Sequence, residues 1–69
     1  MSAQAITTAE GVRVAVGQHW RQDDGYLCRV VGFASHGWPA VRHVNAKYAP
    51  SSMVNPAWFA RWTLTKDAS

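Results

Sequence analysis

GQHWRQDDGYLCRVVGF, residues 17–33, is the stretch on which the fold turns. Its second half alternates strictly: Tyr26, Cys28 and Val30 share one face, and Leu27, Arg29 and Val31 share the other. That two-residue period is the mark of a strand with one buried side. Gly32 lets such a strand bend or bulge. Ahead of it, Asp23-Asp24-Gly25 suits a tight hairpin turn that needs positive φ. The stretch therefore predicts a hairpin with Trp20 and Tyr26 packed inside and Arg21 and Arg29 on the outside.

Toward the N-terminus, Val12, Val14 and Val16 alternate with Arg13 and Ala15, which predicts a strand ending at Gly17. Toward the C-terminus, ASHGWP is a turn, and Pro39 belongs at the start or edge of the strand Ala40 to Val44. Val41 and Val44 fall on opposite faces there, which leaves that strand's register open. NAKYAPSS is a loop or wide hairpin, Met53 and Val54 form a short strand, and Asn55-Pro56 opens a single helical turn, PAWFA. Proline fits the first helical position because its missing N–H would have no partner there. Trp62 and Leu64 alternate with Arg61, Thr63 and Thr65 in a last strand.

The order predicts an all-β protein, an SH3-like small barrel of about five short strands with one helical turn before the last strand. Closing such a sheet removes exposed edges. Residues 1–11 are expected to be a flexible arm, 12–66 the small barrel domain and 67–69 a frayed end. Trp20, Val30, Phe59, Trp62 and Leu64 are the expected core, since aromatic rings bury roughly 150–250 Å² each and a small domain depends on them.

Composition narrows the function classes. The chain has 69 residues with a single cysteine, so neither an intramolecular disulfide nor a set of thiols for structural zinc can form. A reducing, cytoplasmic setting is expected. The N-terminus lacks the basic start and apolar run of a signal peptide, and no window approaches the ~18 apolar residues of a membrane span, so no membrane partner is expected. A net charge of +3 is compatible with an acidic partner or a phosphate backbone.

The opening VAVGQHWRQDDGYLCRVVGF and the ending NPAWFARWTLTK resemble short uncharacterised proteins of phages and prophages. Gly17, Gln18, Trp20, Arg21 and Asp23 carry the likeness at the front, and Phe59 and Trp62 at the back. It extends from about Val16 to Lys66, while HGWPAVRHVNAKYAPSSM departs from the pattern. The resemblance implies a mobile-element origin and no assigned chemistry.

Nothing in the residue pattern calls for catalysis or a cofactor. His19, His36 and His43 are spaced by 17 and 7, which matches no zinc site. Asp23 and Asp24 are expected to serve the turn by bonding nearby backbone, and Cys28, in phase with Val30, to be a small buried residue. His43 is expected to be a hydrogen-bonded core residue if it faces inward, and His19 and His36 to face solvent. A binding module remains, with two forms. In the first, HGWP presents Trp38 to a host or phage protein, supported by Arg42 and Tyr48, because Trp and Arg dominate interface hot spots. In the alternative, Arg21, Arg29 and Arg61 hold the phosphates of DNA or RNA.

Overall fold

The computed structural model describes residues 5–45 and 50–67. The chain runs β1 (Ala5–Thr7), β2 (Arg13–Ala15), β3 (His19–Arg21), β4 (Leu27–Phe33), β5 (Pro39–His43), β6 (Ser52–Met53), a 3₁₀ turn (Pro56–Ala60) and β7 (Thr63–Lys66). The all-β class and the helical turn before the last strand are as the sequence predicts. β1 and β2 form a two-stranded antiparallel sheet, and the other five strands form a second sheet in the order β6-β5-β4-β3-β7.

The large sheet is a meander of β3, β4, β5 and β6 whose last strand, β7, returns beside β3. Its ladders leave β6 and β7 as edges, so among the described residues the sheet is open and no closed barrel forms. β1 lies inside the segment expected to be an arm. It is held there by register with β2, Ile6 opposite Val14, and Ile6 packs on the core.

Three hairpin turns repeat one geometry. In Thr8–Val12, Gln22–Tyr26 and Ala34–Trp38, the fourth residue is a glycine whose N–H donates to the carbonyl of the first, at 2.9, 2.9 and 2.8 Å. The first residue's N–H donates to the carbonyl of the fifth, at 2.9, 2.8 and 2.8 Å. Gly11, Gly25 and Gly37 have φ of 86°, 90° and 96°, a left-handed conformation that side-chain-bearing residues avoid. At residues 22–25, therefore, Asp24 does not share the positive φ expected of a two-residue turn. The chain uses a type I turn closed by a left-handed glycine, and Asp24 Oδ1 accepts from Tyr26 N–H at 2.9 Å.

The core gathers on one side of the large sheet. Val14, Trp20, Cys28, Val30, Val41, Val54, Phe59 and Trp62 form one buried cluster. Asn55 caps the 3₁₀ turn by accepting from Ala57 N–H at 2.9 Å, and this turn drops Phe59 edge-on against Trp20 at 5.1 Å and beside Trp62 at 4.6 Å. Two expected core residues are not there. Leu64 is 41% exposed, because β7 is an edge strand with a register shift beside it and Trp62 fills the space instead. Tyr26 is 40% exposed, since it precedes β4 and stands against His43 at the sheet margin, ring centroids 4.9 Å apart. His43 is accordingly only half-buried, with its Nδ1 accepting from Asn45 N–H at 3.1 Å.

Candidate functional site

The side of the large sheet away from the core is basic, and the strand register explains why. Residues directly opposite each other on paired strands point to the same face. His19 pairs with Lys66 of β7 and with Arg29 of β4, and Arg29 pairs with Arg42 of β5. Lys66, His19, Arg29 and Arg42 thus form one row across four neighbouring strands. Arg21, two residues along β3 from His19, adds a further charge to the same face.

His19 and Arg21 flank the buried Trp20, Arg29 lies between the buried Cys28 and Val30, and Arg42 follows the buried Val41, whereas Lys66, on a strand exposed throughout, is placed by its pairing with His19 across a register shift. Burying the apolar members fixes the basic ones outward. With strands about 4.8 Å apart, the row spans roughly 14 Å. None of Glu10, Asp23 or Asp24 belongs to a strand of this sheet. Asp67, which follows Lys66, accepts from Gln18 Nε2 at 3.0 Å.

Beside Arg29 and Arg42 lies a hollow of about 290 Å³, lined also by Val16, Gly17, Val30 and Val31. Arg29 is exposed and Arg42 half-buried. The Nε of Arg42 is shielded from solvent and makes no hydrogen bond.

The structure divides both expected residue sets. Of Arg21, Arg29 and Arg61, the first two share the basic face. Arg61 instead caps the 3₁₀ turn, its N–H donating to Trp58 O at 3.0 Å, because β7 begins only at Thr63. Of Trp38, Arg42 and Tyr48, Arg42 stands opposite Arg29, and Tyr48 lies outside the described residues.

Trp38 is 42% exposed, as a turn residue should be. It meets His36 edge-on at 5.6 Å and, with His36 and Met53, lines a shallow apolar hollow of about 480 Å³. His19 and Lys66 were not picked out as members of the basic set. The alternation around Trp20 carries the signal for His19, whereas Lys66 depends on a register that the sequence does not state.

The catalytic candidates have structural partners. Burial pushes the Cys28 thiol above its ordinary value, against a smaller opposing effect of the Gln22 amide at 3.8 Å, and the Asp24 charge adds to the rise. Cys28 is therefore a neutral thiol at physiological pH. Among the described residues no three His, Cys, Asp or Glu side chains gather where they could hold a metal, and no helix is long and apolar enough to cross a membrane. No family model, curated protein or solved structure gives a significant match to the chain.

Proposed function

We propose that this protein is a non-enzymatic binding module whose working surface is the basic sheet face and whose partner is the phosphate backbone of a nucleic acid. The observation that carries this reading is the register row Lys66–His19–Arg29–Arg42. Arg29 and Arg42 stand directly opposite each other, and like charges so placed destabilise a sheet. A polyanion relieves that repulsion and releases its own condensed counterions on binding. Lys66, Arg21, Arg29 and Arg42 give this face four cations, each able to neutralise one backbone phosphate.

The row holds no Phe, Tyr or Trp, so the face lacks the large rings of the stacking platform typical of single-strand binders. A duplex backbone is its better match. The setting that goes with this reading is the cytoplasm, and the likeness of the opening and closing segments to phage and prophage proteins favours a mobile-element role.

Retention from a bacterial lysate tests the proposal. Nucleic acid should be captured by the immobilised protein and lost on nuclease treatment, and a capture profile unaffected by nuclease would count against it.

A second reading, docking of a host or phage protein on the HGWP turn, is favoured by the exposure of Trp38 above its apolar hollow. Trp38→Ala should then change stability by no more than about 0.5 kcal/mol, as at other surface sites. It should also cost a nuclease-resistant partner roughly 2 kcal/mol or more in affinity. Equal retention of that partner by the variant and the parent would remove this reading.

A further inference from the structure

The geometry points to a discrete oxyanion seat between Arg29 and Arg42, in which one phosphate group is held by the Nε edge of the Arg42 guanidinium and by the Arg29 charge. It deepens the basic-face reading and rests on that reading for the source of the phosphate, a nucleic-acid backbone.

Three observations converge on this place. First, Arg29 and Arg42 are direct register partners, so their stems leave the sheet about 5 Å apart and carry like charges. Second, Arg42 Nε is shielded from solvent without a hydrogen-bond partner. Buried donors are almost always paired, and an unpaired one on a charged group is especially costly. Third, the hollow of about 290 Å³ beside them is walled otherwise by Val16, Gly17, Val30 and Val31, with no carboxylate in its lining.

Nε is closed to solvent as it stands, so a ligand reaches it once the Arg42 side chain turns toward the hollow; a water molecule met there would satisfy Nε but leave two cations facing each other. A tetrahedral oxyanion does both tasks, accepting from Nε and a neighbouring Nη in the bidentate manner that guanidinium favours while neutralising the pair. The hollow is many times the ~30 Å³ share of one water in the liquid, which leaves room for a phosphate and part of its ester chain. The Val16 and Val31 side chains in its lining suit the sugar carbons that flank a diester.

The test uses the full chain and inorganic phosphate as probe. The arginine Nε–H signals are followed by nuclear magnetic resonance during titration with phosphate, against chloride at matched ionic strength. The expected result is a saturable shift at Arg42 Nε–H and Arg29 Nε–H with phosphate alone, together with a higher Tm, because a ligand that binds only the folded state stabilises it. Arg42→Lys keeps the positive charge but lacks the Nε–H. It should bind phosphate about tenfold more weakly or worse, the loss expected for a charge-assisted hydrogen bond.

An Arg42 signal and a Tm that respond equally to chloride and phosphate overturn the seat, as does an Arg42→Lys variant that binds phosphate like the parent. A labelled duplex separates this inference from the reading beneath it. Duplex binding with an unmoved Arg42 signal in phosphate removes the seat and leaves the basic face, whereas a phosphate-responsive seat on a protein that ignores the duplex removes the nucleic-acid reading.

Discussion

Gln18 shows how one polar residue can organise an apolar interior. Its side chain is buried, and Oε1 accepts from Ala15 N–H at 2.8 Å and from the Trp20 indole N–H at 3.0 Å, while Nε2 donates to Asp67 Oδ1 at 3.0 Å. The end of β2, the core tryptophan and the chain beyond β7 therefore meet on one amide. Gln18→Leu keeps the bulk but leaves two buried donors without an acceptor, at about 1–3 kcal/mol each. A loss of roughly 2–6 kcal/mol is expected, read as a lower urea midpoint at an unchanged m value. Nothing in the sequence marks Gln18 as interior, because its burial follows from the sharp reversal between β2 and β3 and not from strand alternation. Cys28 is the opposite case, legible from its phase with Val30. Its folded thiol titrates above the ordinary 9.0 because burial disfavours the thiolate, so its contribution to stability is complete below that pH and is lost as pH rises through the folded value. Stability of the parent should be insensitive to this thiol through neutrality and fall at alkaline pH, whereas Cys28→Ala should lack that component of the decline. Parallel stability–pH curves for the two proteins above about pH 9 would contradict the burial argument.

At the scale of elements, the three X-x-x-Gly turns define the hairpins, and each glycine can be tested separately. A Cβ placed on Gly11, Gly25 or Gly37 meets nothing within 4 Å, so the penalty of a substitution comes from the backbone alone. Alanine at any one of them should cost roughly 1–2 kcal/mol, and asparagine less, since it tolerates the left-handed region. Equal midpoints for the alanine variants and the parent would mean that these turns relax to another type. The QDDG turn was legible from its aspartates and glycine. TAEG has the same spacing but sits among small residues without apolar alternation, and for that reason the first hairpin read as a flexible arm. The long strand β4 and the 3₁₀ turn with Pro56 at its start were legible because alternation and proline act locally. The inward or outward choice at Tyr26 and Leu64 was not, because at a strand end and on an edge strand the neighbouring elements decide it.

For the whole molecule, the fold places the core on one side of a five-stranded sheet and the arginines of β3, β4 and β5 on the other. The outward direction of Arg21 and Arg29 could be read from single strands, whereas the alignment of four basic residues into a row exists only once the strands are paired. Arg61 illustrates the converse. Extending the last strand by two residues in the sequence put it among the phosphate binders, but the 3₁₀ turn retains it at its own C-terminal cap. The basic row as a nucleic-acid surface is tested most directly by the salt dependence of binding to a labelled duplex, comparing the parent with Arg29→Ala, Arg21→Ala and Arg61→Ala. Four neutralised phosphates give a slope of log affinity against log salt of about −3 to −4, and each arginine removed from the face should make it shallower by about 1. Arg61→Ala should leave affinity and slope unchanged. Undetectable binding at ~50 mM salt, or a loss on Arg61→Ala as large as that on Arg29→Ala, would contradict the assignment of this face.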